Sequence, residues 1–344
     1  VDSLQSMFAS FQKADDIYKP SYFWKDINTL HMRQIEEDGY ENFKQTLSFK
    51  YFGFVPSIVS DQFLKVMRFW LMHPSTEIFK SKFEDYVPFD FGYSVDILTK
   101  YIPRGRITYK LFVSMLWEYT KRIDRYNLLS MIEEPTEGNP FKVYYGGRLI
   151  SQDLCNSVLE YYAIIDALPL WDKASLNIAE LGAGYGRVAY VFLKAHRCKY
   201  TIFDIPPALY IAQRYLTAVL PDLKVFGFRD FNSYDEIAEE YENADICFFT
   251  PNQMVHLPKF QYNLFINISS LHEMTMPQIK NYIGLIDRCT VGNFYMKQWF
   301  KSINREDGIV ISCNDYPIPP EWERVYLRAC PIQKLFFEAM YRIV

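Results

Sequence analysis

The chain has 344 residues, 49% hydrophobic and 23% charged. This is the composition of an ordinary folded protein with room for about two domains. Lys and Arg number 37 against 41 Asp and Glu, a formal charge of −4, which argues against a broadly basic nucleic-acid-binding surface. No run reaches the ~18 apolar residues of a membrane helix, so no membrane span is expected.

The start, Val1-Asp2-Ser3-Leu4-Gln5, has no basic stretch leading into an apolar one. No secretory leader is expected, a trimmed N terminus is expected because Met is absent, and the setting reads as cytoplasmic. Residues 1–130 read as a helical region. The spacing predicts a helix over 107–129, where Ile107, Leu111, Met115, Leu116, Tyr119, Ile123 and Tyr126 recur at three- and four-residue steps. A second helix is predicted over 62–72, ended by His73-Pro74, and a loop over 86–93. Aromatic residues make up 18% of the chain and are read first as core filling.

Residues 131–170 read as a connector followed by a helix. The connector holds Pro135, Gly138 and Pro140. A short strand at 141–145 and a Gly146-Gly147 turn follow. Ser151 is placed to cap a helix reaching about residue 167, with Asp153 in its first turn. From 171 to 344 the pattern alternates. Strands are predicted at 176–181, 200–204, 244–250, 263–268 and 293–299, and helices at 187–194, 207–220 and 277–288. Such alternation argues for a parallel sheet with helices on both faces. Residues 222–243 form an excursion without a clear place.

The strongest local signal is Glu180-Leu181-Gly182-Ala183-Gly184-Tyr185-Gly186-Arg187, between the first strand and a helix. Glycines there allow a sharp turn and close approach to a ligand. A dinucleotide fingerprint needs its third glycine at 187, which is Arg187, and this disfavours a nicotinamide dehydrogenase. Asp204 lies 18 positions after Gly186, at the end of the second strand. A carboxylate there can accept both hydroxyls of a ribose. The competing reading is a helix N-cap before Pro206 and Pro207.

Glu180 through Gly186 resembles motif I of class I S-adenosylmethionine-dependent methyltransferases, and Phe203-Asp204-Ile205-Pro206 is similar to an element of their small-molecule O-methyltransferases. The resemblance implies a Rossmann-like, seven-stranded, mostly parallel α/β sheet with an N-terminal helical region. It implies S-adenosylmethionine as cofactor, held by Glu180, Gly182, Ala183, Gly184, Gly186, Asp204, Ile205 and Ser269. Asn252 and Gln253 fall where the family places an adenine contact. An alternative register puts the third strand at 225–228 and the adenine contact at Asp230.

Three stretches are similar to a group of sugar O-methyltransferases: Arg148 through Asp153 with Asn156-Ser157, Asn267 through Met274, and Pro331 through Ala339. Lys19 through Trp24 matches more loosely. The resemblance implies methyl transfer to a hydroxyl of a sugar or sugar-containing metabolite. The alternatives are a phenol, amine or polyketide acceptor, or a non-catalytic protein that binds S-adenosylmethionine.

A hydroxyl is a poor nucleophile near neutral pH, so a general base helps. His272 is the expected base, oriented by Glu273; the other reading is that the pair only fixes its loop. His256, Asp315 and Tyr316 are weaker candidates. Arg148 or Gln152 is expected to bind the cofactor carboxylate from a lid segment, against the alternative of an ordinary amphipathic helix. The helical region is expected to wall the acceptor pocket, with Tyr22, Trp24, Tyr51 and Phe54 available for stacking. The histidines lack H-E-x-x-H spacing, the six cysteines form no C-x-x-C pair, and no dense carboxylate cluster is seen. Free thiols and no metal are therefore expected. The expected partner is a small-molecule or glycan acceptor, with no nucleic acid; a homo-oligomer is compatible with the sequence.

Overall fold

A computed structural model of the chain describes residues 2–45, 56–84, 102–168, 176–304 and 307–343. The expected loop at 86–93, Tyr51 and Phe54 lie outside these. Two compact units divide the chain, Val1–Glu36 with Ile164–Val344, and Glu37–Ala163.

Helices α1 (Asp2–Phe11) and α2 (Tyr22–Asp38) come first, then α3 (Pro56–Met72), α4 (Glu77–Lys80), β1 (Lys82–Phe83) and α5 (Ile102–Ile123). The helix expected over 107–129 thus lies earlier. It stops because the Asp124 carboxylate takes the backbone N–H groups of Leu128 and Leu129 at 2.7 and 2.9 Å, and a new turn starts. Within α5, Met115 and Leu116 are buried while Ile107 is exposed.

Strands β2 (Val143–Tyr145) and β3 (Arg148–Ile150) form a hairpin. Its turn is Gly146-Gly147, with φ of 57° and 79°; two left-handed residues match the twist of the paired strands. Arg148 therefore sits on a strand. Helix α6 (Gln152–Ile165) follows, capped as expected: Ser151 Oγ accepts the Leu154 N–H at 2.9 Å.

The sheet is built by β4 (Leu176–Leu181), α7 (Arg187–Ala195), β5 (Cys198–Phe203), α8 (Pro206–Val219), β6 (Val225–Phe226), α9 (Ala238–Asn243), β7 (Ile246–Phe249), β8 (Tyr262–Ile268), α10 (Met276–Cys289) and β9 (Thr290–Trp299). A small hairpin, β10 (Lys301–Asn304) and β11 (Ile309–Ser312), precedes β12 (Glu323–Ala329) and β13 (Phe336–Arg342). Strand order is β12-β13-β9-β8-β4-β5-β7-β6, and β13 runs antiparallel to both its neighbours. The expected Rossmann-like sheet is present, with the two-residue β6 adding an eighth strand at one edge. β7 pairs with β5 and β6 lies beyond it. The third strand is therefore 246–249, and the alternative register at 225–228 is not adopted.

Strands β4, β5, β7 and β8 are apolar and buried along most of their length, as parallel strands covered on both faces must be. Residues 2–36 group with this sheet. Phe11 and Tyr18 enter its core, the Tyr18 ring meets Tyr282 edge-on at 6.2 Å, and the Gln278 side chain donates to the Lys19 carbonyl at 2.7 Å.

Candidate functional site

The strand order reverses at β4. Its chain successor β5 lies on one side, and β8 lies on the other. In open α/β sheets, ligands bind outside the carboxyl ends of the strands at such a switch point. Four stretches converge there: the glycine loop after β4, Asp204 after β5, residues 250–256 after β7 and residues 269–273 after β8.

In the loop, Gly182, Gly184 and Gly186 have φ of 72°, 60° and 84°. Two of these positions also lack space. A Cβ on Gly182 would lie 2.4 Å from Ser270 Oγ, and one on Gly186 would lie 2.5 Å from Leu216 Cδ1. The Gly186 N–H closes the turn onto the Ala183 carbonyl at 3.0 Å, and α7 starts from Gly186.

Asp204 ties this loop to β5. Its Oδ2 accepts the Gly184 N–H at 2.8 Å and its Oδ1 the Ile205 N–H at 2.7 Å. The N-cap position of α8 is Ile205, so Asp204 binds the glycine loop rather than capping that helix. Burial pushes its carboxyl up to about 7, against the pull of the two N–H donors. Each oxygen keeps acceptor capacity beyond its one backbone bond. Glu180 is buried in β4, where its Oε2 accepts the Tyr200 hydroxyl at 2.7 Å.

After β7, the two amides expected at the adenine differ. Gln253 completes a capping box: its Oε1 faces the N–H and hydroxyl of Thr250 at 3.0 and 3.2 Å, and its Nε2 donates to the Arg229 carbonyl at 2.8 Å. Its side chain is thus committed to the turn rather than free to meet a cofactor. Asn252 Oδ1, by contrast, is buried and has no hydrogen-bond partner, so it is an acceptor waiting for a donor.

After β8 the chain turns through Ser269, a non-glycine residue at φ 56° whose N–H bonds to the Lys297 carbonyl at 2.8 Å. Such a conformation costs ~1–2 kcal/mol. Two fully buried amides hold the turn. Asn267 Nδ2 donates to the Leu181 carbonyl at 2.9 Å and to Ser270 Oγ at 2.6 Å, and Gln298 bonds to both Asn267 and His272.

His272 is 3% exposed and its ring stacks on Trp299 with centroids 5.2 Å apart. Its Nδ1 lies 2.9 Å from Gln298 Oε1, and its Nε2 lies 3.6 Å from Glu273 Oε1. Burial drives the imidazole down to about 4, so it is neutral near pH 7. Burial raises the Glu273 carboxyl to about 8; a Trp24 hydrogen bond opposes this and the Asp204 charge adds to it. Ser21 Oγ also donates to the Glu273 carbonyl at 3.1 Å. Glu273, Asp204, His272 and the glycine loop therefore belong to one site. Ser21 and Trp24 reach it from the N-terminal segment.

The remaining expected residues make other contacts. Arg148 and Gln152 belong to the unit 37–163. There the Arg148 guanidinium bonds the carbonyls of Leu129, Ser130 and Ile132, and the Gln152 amide meets Gln62 at 3.3 Å. His256 packs on Phe231, and Asp315 Oδ2 accepts the Ser312 N–H at 2.7 Å in a turn. Burial raises the Tyr316 hydroxyl pKa, and the Cys313, Asp315 and Glu273 charges add smaller contributions. Tyr22 is 71% exposed. Sequence reasoning did not anticipate Gln298 or Trp299 at the site: both were read only as strand residues, and the fully buried amide on a strand was the available signal. Among the described residues, no group of three or more His, Cys, Asp or Glu is placed to hold a metal ion, and no helix is long and apolar enough to cross a membrane.

No protein-family profile and no curated protein matches the sequence. Among solved structures, the chain is similar to a SAM-dependent methyltransferase from Aquifex aeolicus (10% identity, 66% of this chain and 98% of that one, TM-score 0.36). It is also similar to geranyl diphosphate C-methyltransferase from Streptomyces coelicolor A3(2) (9% identity, 55% and 79%, TM-score 0.38). A third is magnesium protoporphyrin IX methyltransferase from Synechocystis PCC 6803 (12% identity, 56% and 86%, TM-score 0.38). At such identities and TM-scores, neither activity nor acceptor passes from those proteins to this chain.

Proposed function

We propose that this chain is an S-adenosylmethionine-dependent O-methyltransferase whose acceptor is a hydroxyl of a sugar or sugar-containing metabolite. The observation that carries the cofactor reading is Asp204. Its buried carboxylate stands at the sheet's switch point, bound to the middle glycine of a loop with three left-handed glycines. The orphaned acceptor Asn252 Oδ1 supports the same reading, because an adenine amino group would supply a donor for it. When bound, S-adenosylmethionine supplies an already activated methyl group on a sulfonium.

The residues divide the remaining work. With S-adenosylmethionine bound, the glycine loop would bring backbone close to it and Asp204 would accept its ribose hydroxyls. Positioning supplies much of the acceleration in a displacement on an activated donor. His272 takes the acceptor's hydroxyl proton at Nε2, and Glu273, whose Oε1 lies 3.6 Å from that nitrogen, orients the ring. An imidazole near 4 is a weak base at neutral pH, so its contribution falls at the lower end of the ~10²–10⁴-fold typical of general bases. The sugar assignment rests on the resemblance of 148–157, 267–274 and 331–339.

The test is an acceptor screen with labelled donor, followed by His272→Ala and Glu273→Gln. Expected are methylation of a polyol hydroxyl and a loss of about 100-fold in kcat for His272→Ala. Near-normal turnover in both folded variants removes the pair from the chemistry. Donor binding without any methyl acceptor favours a non-catalytic binder.

A further inference from the structure

We infer that Asn267 and Gln298 form an amide relay that fixes the tautomer of His272, placing the proton on Nδ1 and the lone pair on Nε2. Its catalytic half rests on the proposed base role of His272.

The polarity follows from groups that cannot reverse. The Leu181 carbonyl can only accept, so the Asn267 group 2.9 Å from it is the donating Nδ2. Asn267 Oδ1 then faces Gln298 and the Leu271 N–H, the latter at 3.3 Å, and accepts from both. Gln298 must present its NH₂ to Asn267, where it also reaches the Asn267 carbonyl at 3.3 Å. That leaves Gln298 Oε1 facing His272. The backbone N–H of His272, which can only donate, points at the same Oε1 from 3.3 Å and fixes the orientation independently. Nδ1, at 2.9 Å, therefore carries the hydrogen. A neutral ring with Nδ1–H has its lone pair on Nε2, the atom on the Glu273 side.

Asn267 and Gln298 are both fully buried, and a buried amide pair is stable only when each member is satisfied. The relay begins at the carbonyl just before Gly182, so the strand that ends in the glycine loop also sets the orientation of the proposed base. Gln298 and Asn267 are positioning residues.

The experiment uses the full chain labelled with ¹⁵N-histidine. Long-range proton–nitrogen spectra should show His272 Nδ1 in the protonated range and Nε2 in the unprotonated range. Gln298→Leu removes the acceptor; a mixed tautomer and a kcat loss of at least about tenfold are expected, with KM for S-adenosylmethionine within about twofold. Gln298→Glu restores an acceptor and adds a negative charge; the acid limb of the pH–kcat profile should move up by about one unit or more. A wild-type His272 protonated at Nε2 overturns the relay, as does a pure Nδ1–H tautomer in Gln298→Leu. Unchanged turnover in His272→Ala overturns the base reading instead, and the nitrogen spectra still decide the tautomer.

Discussion

Substituting Gly182 by alanine perturbs the site at a position where two costs can be separated. Its φ of 72° is left-handed, which costs a residue with a side chain ~1–2 kcal/mol. The new methyl group would also stand 2.4 Å from Ser270 Oγ and 2.5 Å from Ser270 Cβ. Ser270 cannot yield freely, because its hydroxyl is held by Asn267 Nδ2 at 2.6 Å. Overpacking of this kind costs ~1–3 kcal/mol, so Gly182→Ala should lose ~2–5 kcal/mol in all. For a unit of about 200 residues that is a fall of roughly 5–15 °C in Tm. Ser270→Gly in the same chain removes the obstruction and leaves the backbone cost. The double variant should therefore recover about half of the loss contributed by Gly182→Ala, measured as a double-mutant cycle by thermal melts and denaturant titration. A Gly182→Ala protein within about 0.5 kcal/mol of wild type, or no coupling to Ser270, refutes the reasoning.

Three further outcomes follow from the site's electrostatics and polarity. The Asp204 carboxyl is raised to about 7 in the folded protein from about 3.9 unfolded. The contribution is thus fully present below pH 4 and is lost as pH rises toward 7. Relative to wild type, Asp204→Asn should gain stability between about pH 4 and pH 7, whatever its offset from the altered backbone bonds; a pH-independent difference in Tm contradicts this. Asn252→Ala should weaken binding of S-adenosylhomocysteine by about 3–10-fold at unchanged Tm, the loss of one net hydrogen bond. Gln253→Ala should instead lower stability by ~1 kcal/mol with little change in affinity, because its amide caps a turn. The reverse pattern in calorimetry and melts exchanges the two roles.

The sheet was legible because its central strands are short apolar runs and because the glycine loop marks where the first one ends. The 176–181 strand matches residue for residue. Other features depend on partners that local pattern does not reveal. Strand β12 is largely exposed along its length, so it lacked an apolar run to announce it, and β13 falls partly in the 331–339 stretch, which the sequence marks only by resemblance. Arg148 falls in the expected lid segment, yet the two left-handed glycines before it close a hairpin. Asn252 and Gln253 are chemically alike in sequence; only the capping box at Thr250 separates them. Trp24 reaches Glu273 across most of the chain's length, a pairing set by tertiary packing.

The central claim is that the glycine loop and Asp204 grip one sulfonium nucleoside. Titrating folded protein with S-adenosylhomocysteine in a calorimeter tests it directly. One site per chain is predicted, with heat that is lost or sharply reduced in Asp204→Ala; the absence of any binding heat from wild-type protein shown to be folded, across several temperatures, contradicts it.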